Sequence, residues 1–129
     1  MADAPSLTVR EIDADAAAAA LQGVAALDPR GIGTDADMLQ AARAGRCFEL
    51  AGDGVRAVYV LEVHEGSVWV QALRGAGDVD LCEVMDGLVT AQCQGFKTMG
   101  FQTARRGLMR KATRLGWRVS GWILRKEMQ

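Results

Sequence analysis

The sequence contains no asparagine, a single histidine, a single tyrosine and three cysteines in 129 residues. Cys47, Cys82 and Cys93 form no CxxC pair, and one histidine is too few to complete a zinc cage with them. We therefore expect no metal site. An odd number of thiols without disulfide-framework spacing favours a reducing compartment.

Long apolar runs and a basic leader are also missing. No apolar stretch approaches the roughly 20 residues that cross a bilayer, and residues 1–10 show no basic segment followed by an apolar block. Half of the residues are hydrophobic and 24% are charged, which is typical of a chain with one core. These features predict a single domain over residues 1–129, in the cytoplasm and without a membrane partner.

Charge is distributed unevenly along the chain although its net value is only −1. Residues 1–93 carry six basic and fifteen acidic side chains (net −9), and residues 94–129 carry nine basic and one acidic (net +8). The basic part either receives an anion or pairs with the acidic part of the same fold. The pI of about 5.8 and the lack of clustered aromatic residues make nucleic acid an unexpected partner.

Periodicity predicts ten elements in the order β-α-α-β-β-β-α-β-α-β. They are a strand at 7–12, a helix from Asp13 or Asp15 to about Leu27, a helix at 34–44, strands at 47–51, 55–64 and 67–73, a helix at 81–92, a strand at 98–103, a helix around 108–115 and a strand at 117–126. Short turns make the middle strands antiparallel, and the helix at 81–92 makes the next pair parallel. We expect an α/β (α+β) fold, a mostly antiparallel mixed sheet of about six strands with helices on both faces.

This order resembles the GNAT acyltransferase superfamily, which also has two helices after the first strand and a glycine-rich segment before the central helix. Leu115-Gly116-Trp117 resembles the family's turn from its fourth helix into the last strand. The resemblance covers residues 7–128 in topology. It implies transfer of an acetyl group from acetyl-CoA to a small-molecule or protein amine.

In GNAT proteins a glycine-rich motif after the fourth strand binds the diphosphate of coenzyme A through backbone N–H groups. Glycine lets a phosphate approach closely, and free N–H groups at a helix start favour anions. The resemblance places this motif at 71–77 and adds cations of the fourth helix. The implied cofactor-binding residues are Arg74, Gly75, Ala76, Gly77, Arg105 and Arg110. On this interpretation, Gly77→Glu removes cofactor binding and leaves the fold intact.

Some positions depart from the family pattern. Ala112 stands where many members carry a tyrosine that protonates the departing thiolate, and Arg105 stands where asparagine is frequent. Asp78 and Asp80 lie at the start of the central helix, where they can cap it and repel a diphosphate. Backbone amides around residues 75–80 without a hydrogen-bond partner would favour an enzyme. Amides capped by Asp78 or Asp80 would favour a protein that keeps the fold without the activity.

Glu62 and His64 are the candidate catalytic residues, two positions apart on one strand face. Transfer to an amine needs a group that takes a proton from the ammonium, and histidine has its ordinary pKa near neutrality. A solvated hairpin end is the other interpretation, because both residues lie beside the Glu65-Gly66 turn. Tyr59 is expected in the core.

Two functions therefore stay open. One is a GNAT-type N-acetyltransferase that uses acetyl-CoA. The other is a non-catalytic GNAT-fold protein for binding or assembly, similar to the reduced GNAT-like proteins of phages and prophages. The partner is then another protein or a second copy of the chain, and the location is the host cytoplasm or the virion.

Overall fold

A computed structural model of the chain describes residues 7–24, 34–52, 54–77, 80–103, 105–122, 124, 126 and 128. The elements are β1 Leu7–Ile12, α1 Ala14–Ala20, α2 Asp35–Ala44, β2 Arg46–Gly52, β3 Val55–His64, β4 Ser67–Gly77, α3 Leu81–Gln92, β5 Thr98–Phe101 and α4 Arg106–Arg114. The predicted fold class is confirmed, with five strands in these residues in place of about six. Residues 25–33, between α1 and α2 in sequence, lie outside the described residues.

The five strands form one mixed sheet in the order β1-β2-β3-β4-β5. Neighbours from β1 to β4 are antiparallel, and β5 is parallel to β4. The β3–β4 turn has φ values of 49° at Glu65 and 83° at Gly66, the left-handed pair that a two-residue hairpin turn requires. α3 connects the two parallel strands, as the predicted crossover requires.

Helix starts follow from local sequence. Asp13 caps α1, because its carboxylate accepts the N–H of Ala16 at 2.7 Å. Thr34 and Asp37 form a reciprocal capping box at the start of α2, with bonds of 3.0 and 3.2 Å. Such caps each contribute about 1 kcal/mol to helix stability.

The predicted continuation of α1 toward Leu27 is wrong, since the helix ends at Ala20. Gly23 has a φ of 84° and donates its N–H to the side chain of Asp35 at 3.1 Å. A left-handed glycine tied to the next helix stops α1, although alanine favours its continuation.

Helices cover both faces of the sheet. α1 and α2 pack on one face through a core of Ala17, Leu21, Met38, Ala42, Cys47, Val58, Val60 and Ala72. α3 packs on the other face through Leu50, Ala57, Tyr59, Leu61, Val68, Met85, Val89 and Cys93. Alternate residues of β3 enter the two cores because side chains alternate across a strand, so β3 is the buried centre of the fold.

The strand predicted at 117–126 is absent from the described residues of that segment. Trp117 instead packs edge-on against Phe101, with ring centroids 5.0 Å apart, and donates its indole N–H to Asp86 at 2.7 Å. The chain then leaves the body of the fold. Ser120 and Gly121 interrupt the apolar alternation, and sequence alternation alone does not specify an edge to which a strand can pair.

Candidate functional site

A bulge at Gln71 divides β4 into two parts. Leu61 of β3 pairs with Val70, and Val60 pairs with Ala72, so Gln71 has no residue opposite it. The extra residue reverses the alternation, because Val70 packs with the α3 core and Ala72 with the α1–α2 core. Nothing in the residue types around position 71 predicts this bulge.

β4 and β5 separate at the bulge. Their pairing extends only from Ser67 and Thr98 to Val70 and Phe101, whereas β4 continues to Gly77. Beyond Val70, the edge of β4 that faces away from β3 pairs with no strand among the described residues. Every second residue of an antiparallel strand turns its N–H and C=O away from its partner, so this edge offers free backbone groups.

The separation opens a cleft of about 1220 Å³ between the two strands. Met38 and Ala41 of α2 line it on one face of the sheet, and Leu81 and Met85 of α3 line it on the other. α4 closes one side through Leu108. An elongated ligand can therefore pass through the plane of the sheet.

The glycine-rich segment is a strand and not a loop. Residues 75–77 continue β4 and pair with residues 55–57 of β3, so the predicted end of this strand at residue 73 is wrong. A Cβ at Gly77 would lie 2.3 Å from the Gly54 carbonyl oxygen. Close approach of the β2–β3 turn therefore requires glycine there. The expectation that Gly77→Glu leaves the fold intact is also wrong for this reason.

The candidate cofactor-binding residues divide into two groups. Arg74, Gly75 and Arg105 line the cleft, whereas Ala76, Gly77 and Arg110 do not. Arg74 extends from β4 to the turn after α1, where its guanidinium donates to the carbonyl of Gln22 at 2.7 Å. Arg105 precedes α4 and is exposed. Both side chains thus line the cleft and are exposed to solvent.

Lys111 of α4 is a further cation that lines the cleft. Its Nζ lies 3.9 Å from the carboxylate of Asp80. The sequence does not distinguish Lys111 from the other cations between residues 105 and 114, because the packing of α4 decides which of them face the cleft. Arg110, the residue before Lys111 on α4, does not line the cleft.

Asp80 caps α3 at the point where the resemblance implies a diphosphate. Its Oδ1 accepts the N–H groups of Cys82 at 3.1 Å and Glu83 at 3.4 Å. A carboxylate at a helix start complements the helix dipole as a bound anion would. The first turn of α3 therefore does not fit a second anion. Asp78 lies outside the described residues.

Glu62 and His64 contact each other as the two-residue spacing predicts. His64 Nε2 lies 3.1 Å from Glu62 Oε1, and their side chains are 54% and 24% exposed. Because side chains alternate along β3, both lie on the face of Val60, which α1 and α2 cover. His64 lines the cleft, as does Trp69, which pairs with Glu62 across the hairpin. The pair is thus on the opposite face of the sheet from α3.

Tyr59 in the core and Cys82 on the cleft are both protonated at neutral pH. Burial raises the pKa of Tyr59 to about 12, and its hydroxyl donates to Gln92 at 2.6 Å, which confirms its place in the core. Burial, and then the charge of Asp80, raise the pKa of the Cys82 thiol, so Cys82 is protonated at neutral pH. Ala112 is buried and carries no proton donor.

The described residues contain no group of three or more potential metal ligands. None of the described helices has the length and hydrophobicity needed to span a bilayer.

No protein-family model matches the chain, and no curated protein matches it in sequence. Among solved structures, ribosomal-protein-alanine N-acetyltransferase from Brucella melitensis biovar Abortus 2308 is similar over 94% of this chain and 100% of that one, with a TM-score of 0.55 at 10% identity. A mutant of TTHA1254 from Thermus thermophilus is similar over 95% and 97%, with a TM-score of 0.47 at 15% identity. The likeness to the acetyltransferase shows that this chain has a GNAT-like fold.

Proposed function

We propose that the chain binds acetyl-CoA in the cleft between β4 and β5 and transfers the acetyl group to an amine. The separation of the two strands at Gln71 supports this proposal, because it leaves the edge of β4 from Gln71 to Gly75 facing the cleft. An extended chain that carries amides can pair with such an edge as an added strand. The pantetheine part of coenzyme A has this chemistry.

Arg74 and Arg105 are the residues that would hold the phosphate groups. Guanidinium groups bind phosphate oxygens through paired, charge-assisted hydrogen bonds, and both side chains lie on the cleft and are exposed. These two guanidinium groups would bind the phosphates in place of the N–H groups at the start of α3, which are already hydrogen-bonded to Asp80. Lys111, 3.9 Å from Asp80, offsets part of that negative charge.

Glu62 and His64 are the residues that would prepare the acceptor. His64 takes a proton from the acceptor ammonium, and the Glu62 carboxylate, 3.1 Å from Nε2, positions the imidazole ring. The freed amine nitrogen then bonds to the carbonyl carbon of the bound thioester, the carbon–sulfur bond breaks, and the thiolate leaves with the electron pair. The nitrogen gives its second proton to water and becomes the neutral amide. Ala112 has no proton to give that thiolate, so the proposal assigns the proton to water.

Asp80 and Ala112 favour a second candidate function, a non-catalytic protein that keeps the GNAT-like scaffold for binding or assembly. A capped α3 and a missing proton donor are both expected where selection for acetyl transfer is absent. A phage- or virion-associated role belongs to this candidate. Its partner is another protein or a second copy of the chain.

Thermal unfolding with coenzyme A and acetyl-CoA separates the two candidates. A ligand a hundredfold above its Kd stabilises a protein by about 2.7 kcal/mol, which is about 10 °C in Tm for a domain of this size. The acetyltransferase proposal predicts this shift together with transfer of labelled acetyl to a primary amine. No shift at millimolar cofactor would favour the second candidate.

Matched variants locate the ligand and the chemistry. Arg105→Gln should reduce the shift, whereas Arg114→Gln, at the end of α4 and outside the cleft, should leave it unchanged. His64→Gln should lower the transfer rate about a hundredfold or more without changing the shift. A shift without any transfer would mean that the chain binds the cofactor and does not use it.

A further inference from the structure

The outer face of α4 carries three arginines that line up along the helix. Arg106, Arg110 and Arg114 are spaced four residues apart and are exposed, so they follow one another at about 6 Å along one face. We call these three residues the arginine stripe. None of them lines the cleft, whereas Leu108 on the opposite side of the helix does, and Ala112 beside it is buried. The arginine stripe is therefore a surface separate from the candidate site.

The arginine stripe has no counter-charge in the part of the chain that the structure describes. There α4 forms one ion pair, between Lys111 and Asp80 on its cleft side, and the helix contains no acidic residue. Arg46 on β2, by contrast, lies 2.9 Å from a carboxylate oxygen of Glu11. Like charges four residues apart on a helix repel each other. An anionic partner on the stripe would remove this repulsion.

The surroundings of the arginine stripe decide which kind of anion fits it. Helices that bind membrane surfaces present a broad apolar face next to their cations, whereas Leu108 and Ala112 of α4 face the cleft and the interior. A nucleic-acid duplex carries negative charge along its whole length. It would meet Glu83 and Asp86 on α3, the helix that packs beside α4. A short acidic segment of a protein can follow α4 alone.

We infer that the arginine stripe binds an acidic helical segment of another protein, in which carboxylates recur at every fourth residue. Such carboxylates have the same spacing of about 6 Å as the three guanidinium groups, and guanidinium binds carboxylate through two parallel hydrogen bonds. Met109, 39% exposed beside the stripe, offers an apolar contact to the same segment. This inference is independent of the proposed function, because no residue of the stripe lines the cleft.

Fluorescence anisotropy with a labelled acidic peptide tests the inference on the full chain. The probe is a helical peptide with glutamate at every fourth position, and the wild-type chain should bind it at physiological ionic strength. Three exposed ion pairs predict about a tenfold higher Kd for the stripe variant Arg106→Gln, Arg110→Gln, Arg114→Gln. Charges farther away than about 8 Å are screened at this ionic strength. The Kd should therefore stay unchanged in a control variant that removes the same net charge from β1, α2 and β2, namely Arg10→Gln, Arg43→Gln, Arg46→Gln.

Thermal unfolding of the stripe variant is the second measurement. Its Tm should be at least that of the wild type, because glutamine is compatible with a helix and the repulsion between the arginines is gone. A lower Tm would show that the arginines already have partners within the chain, and would overturn the inference. It would also be overturned by a peptide that does not bind, by equal Kd values for the wild type and the stripe variant, or by an equal loss of binding in the control variant. Tighter binding of a DNA duplex or of phosphatidylserine vesicles than of the peptide would replace the protein partner by nucleic acid or membrane.

Discussion

Replacing Asp80 by asparagine should strengthen coenzyme A binding without loosening α3. The carboxylate holds the N–H groups of Cys82 and Glu83 at 3.1 and 3.4 Å, and asparagine caps helices about as well as aspartate. The helix start is therefore preserved. The substitution removes one negative charge from the rim of the cleft.

The magnitude follows from Coulomb's law. A charge about 6 Å from a phosphate contributes about 0.7 kcal/mol at the dielectric constant of water and about 2.8 kcal/mol at an effective value of about 20. The Asp80 side chain is 50% exposed and Lys111 lies 3.9 Å from it, so solvent and the cation both screen it. We expect the lower value, which is about a threefold decrease in Kd.

Isothermal titration with coenzyme A at low salt measures the change. Glu65→Gln removes the same charge from the exposed β3–β4 turn and should leave the Kd unchanged. Asp80→Ala should bind at least as tightly as Asp80→Asn, because it also frees two N–H groups, while losing about 1 kcal/mol of stability with the cap. An unchanged or higher Kd for Asp80→Asn would refute the placement of a phosphate on the cleft cations within reach of the Asp80 charge.

Three further predictions concern the fold around the site. Gly77→Ala should lower the free energy of unfolding by about 1–3 kcal/mol, because its Cβ would lie 2.3 Å from a backbone oxygen. Gly87→Ala has open space around its Cβ and should raise the free energy of unfolding by about 0.5–1 kcal/mol. Urea unfolding of both variants measures the two changes. Tyr59 should stay protonated well above pH 10, since burial raises its pKa from 10.0 to about 12. Its contribution to stability is present below pH 10 and lost as the pH rises through about 12, and tyrosinate absorbance that rises near pH 10 in the folded protein would contradict this. Trp117→Phe should cost about 1–2 kcal/mol because it leaves the half-buried Asp86 without a donor, and a Tm equal to that of the wild type would show that the bond contributes nothing.

Helix starts and hairpin turns could be predicted from the sequence because their causes lie within a few residues. The capping box of Thr34 and Asp37 fixes the start of α2, and the Glu65-Gly66 turn fixes the register of the hairpin that it closes. The contact between Glu62 and His64 has the same local origin, since residues two apart share a strand face.

Features that depend on distant partners could not be predicted in this way. Glycine is frequent in loops, so the residue types at 75–77 predict a break in the sheet, but the close approach of this segment to Gly54 and its pairing with β3 keep it in β4. The bulge at Gln71 depends on the register of two strands. Whether Arg105 or Arg110 faces the cleft depends on how α4 packs, which its own charge pattern does not specify.

Hydrogen exchange with and without acetyl-CoA tests most directly whether the unpaired edge of β4 binds the cofactor. Slower exchange is expected between Gln71 and Gly75 when acetyl-CoA is present, because amides that face the cleft gain a partner. The N–H groups of Cys82 and Glu83 should exchange at the same rate in both states, since Asp80 already holds them. Unchanged exchange along β4 at saturating acetyl-CoA would contradict the account.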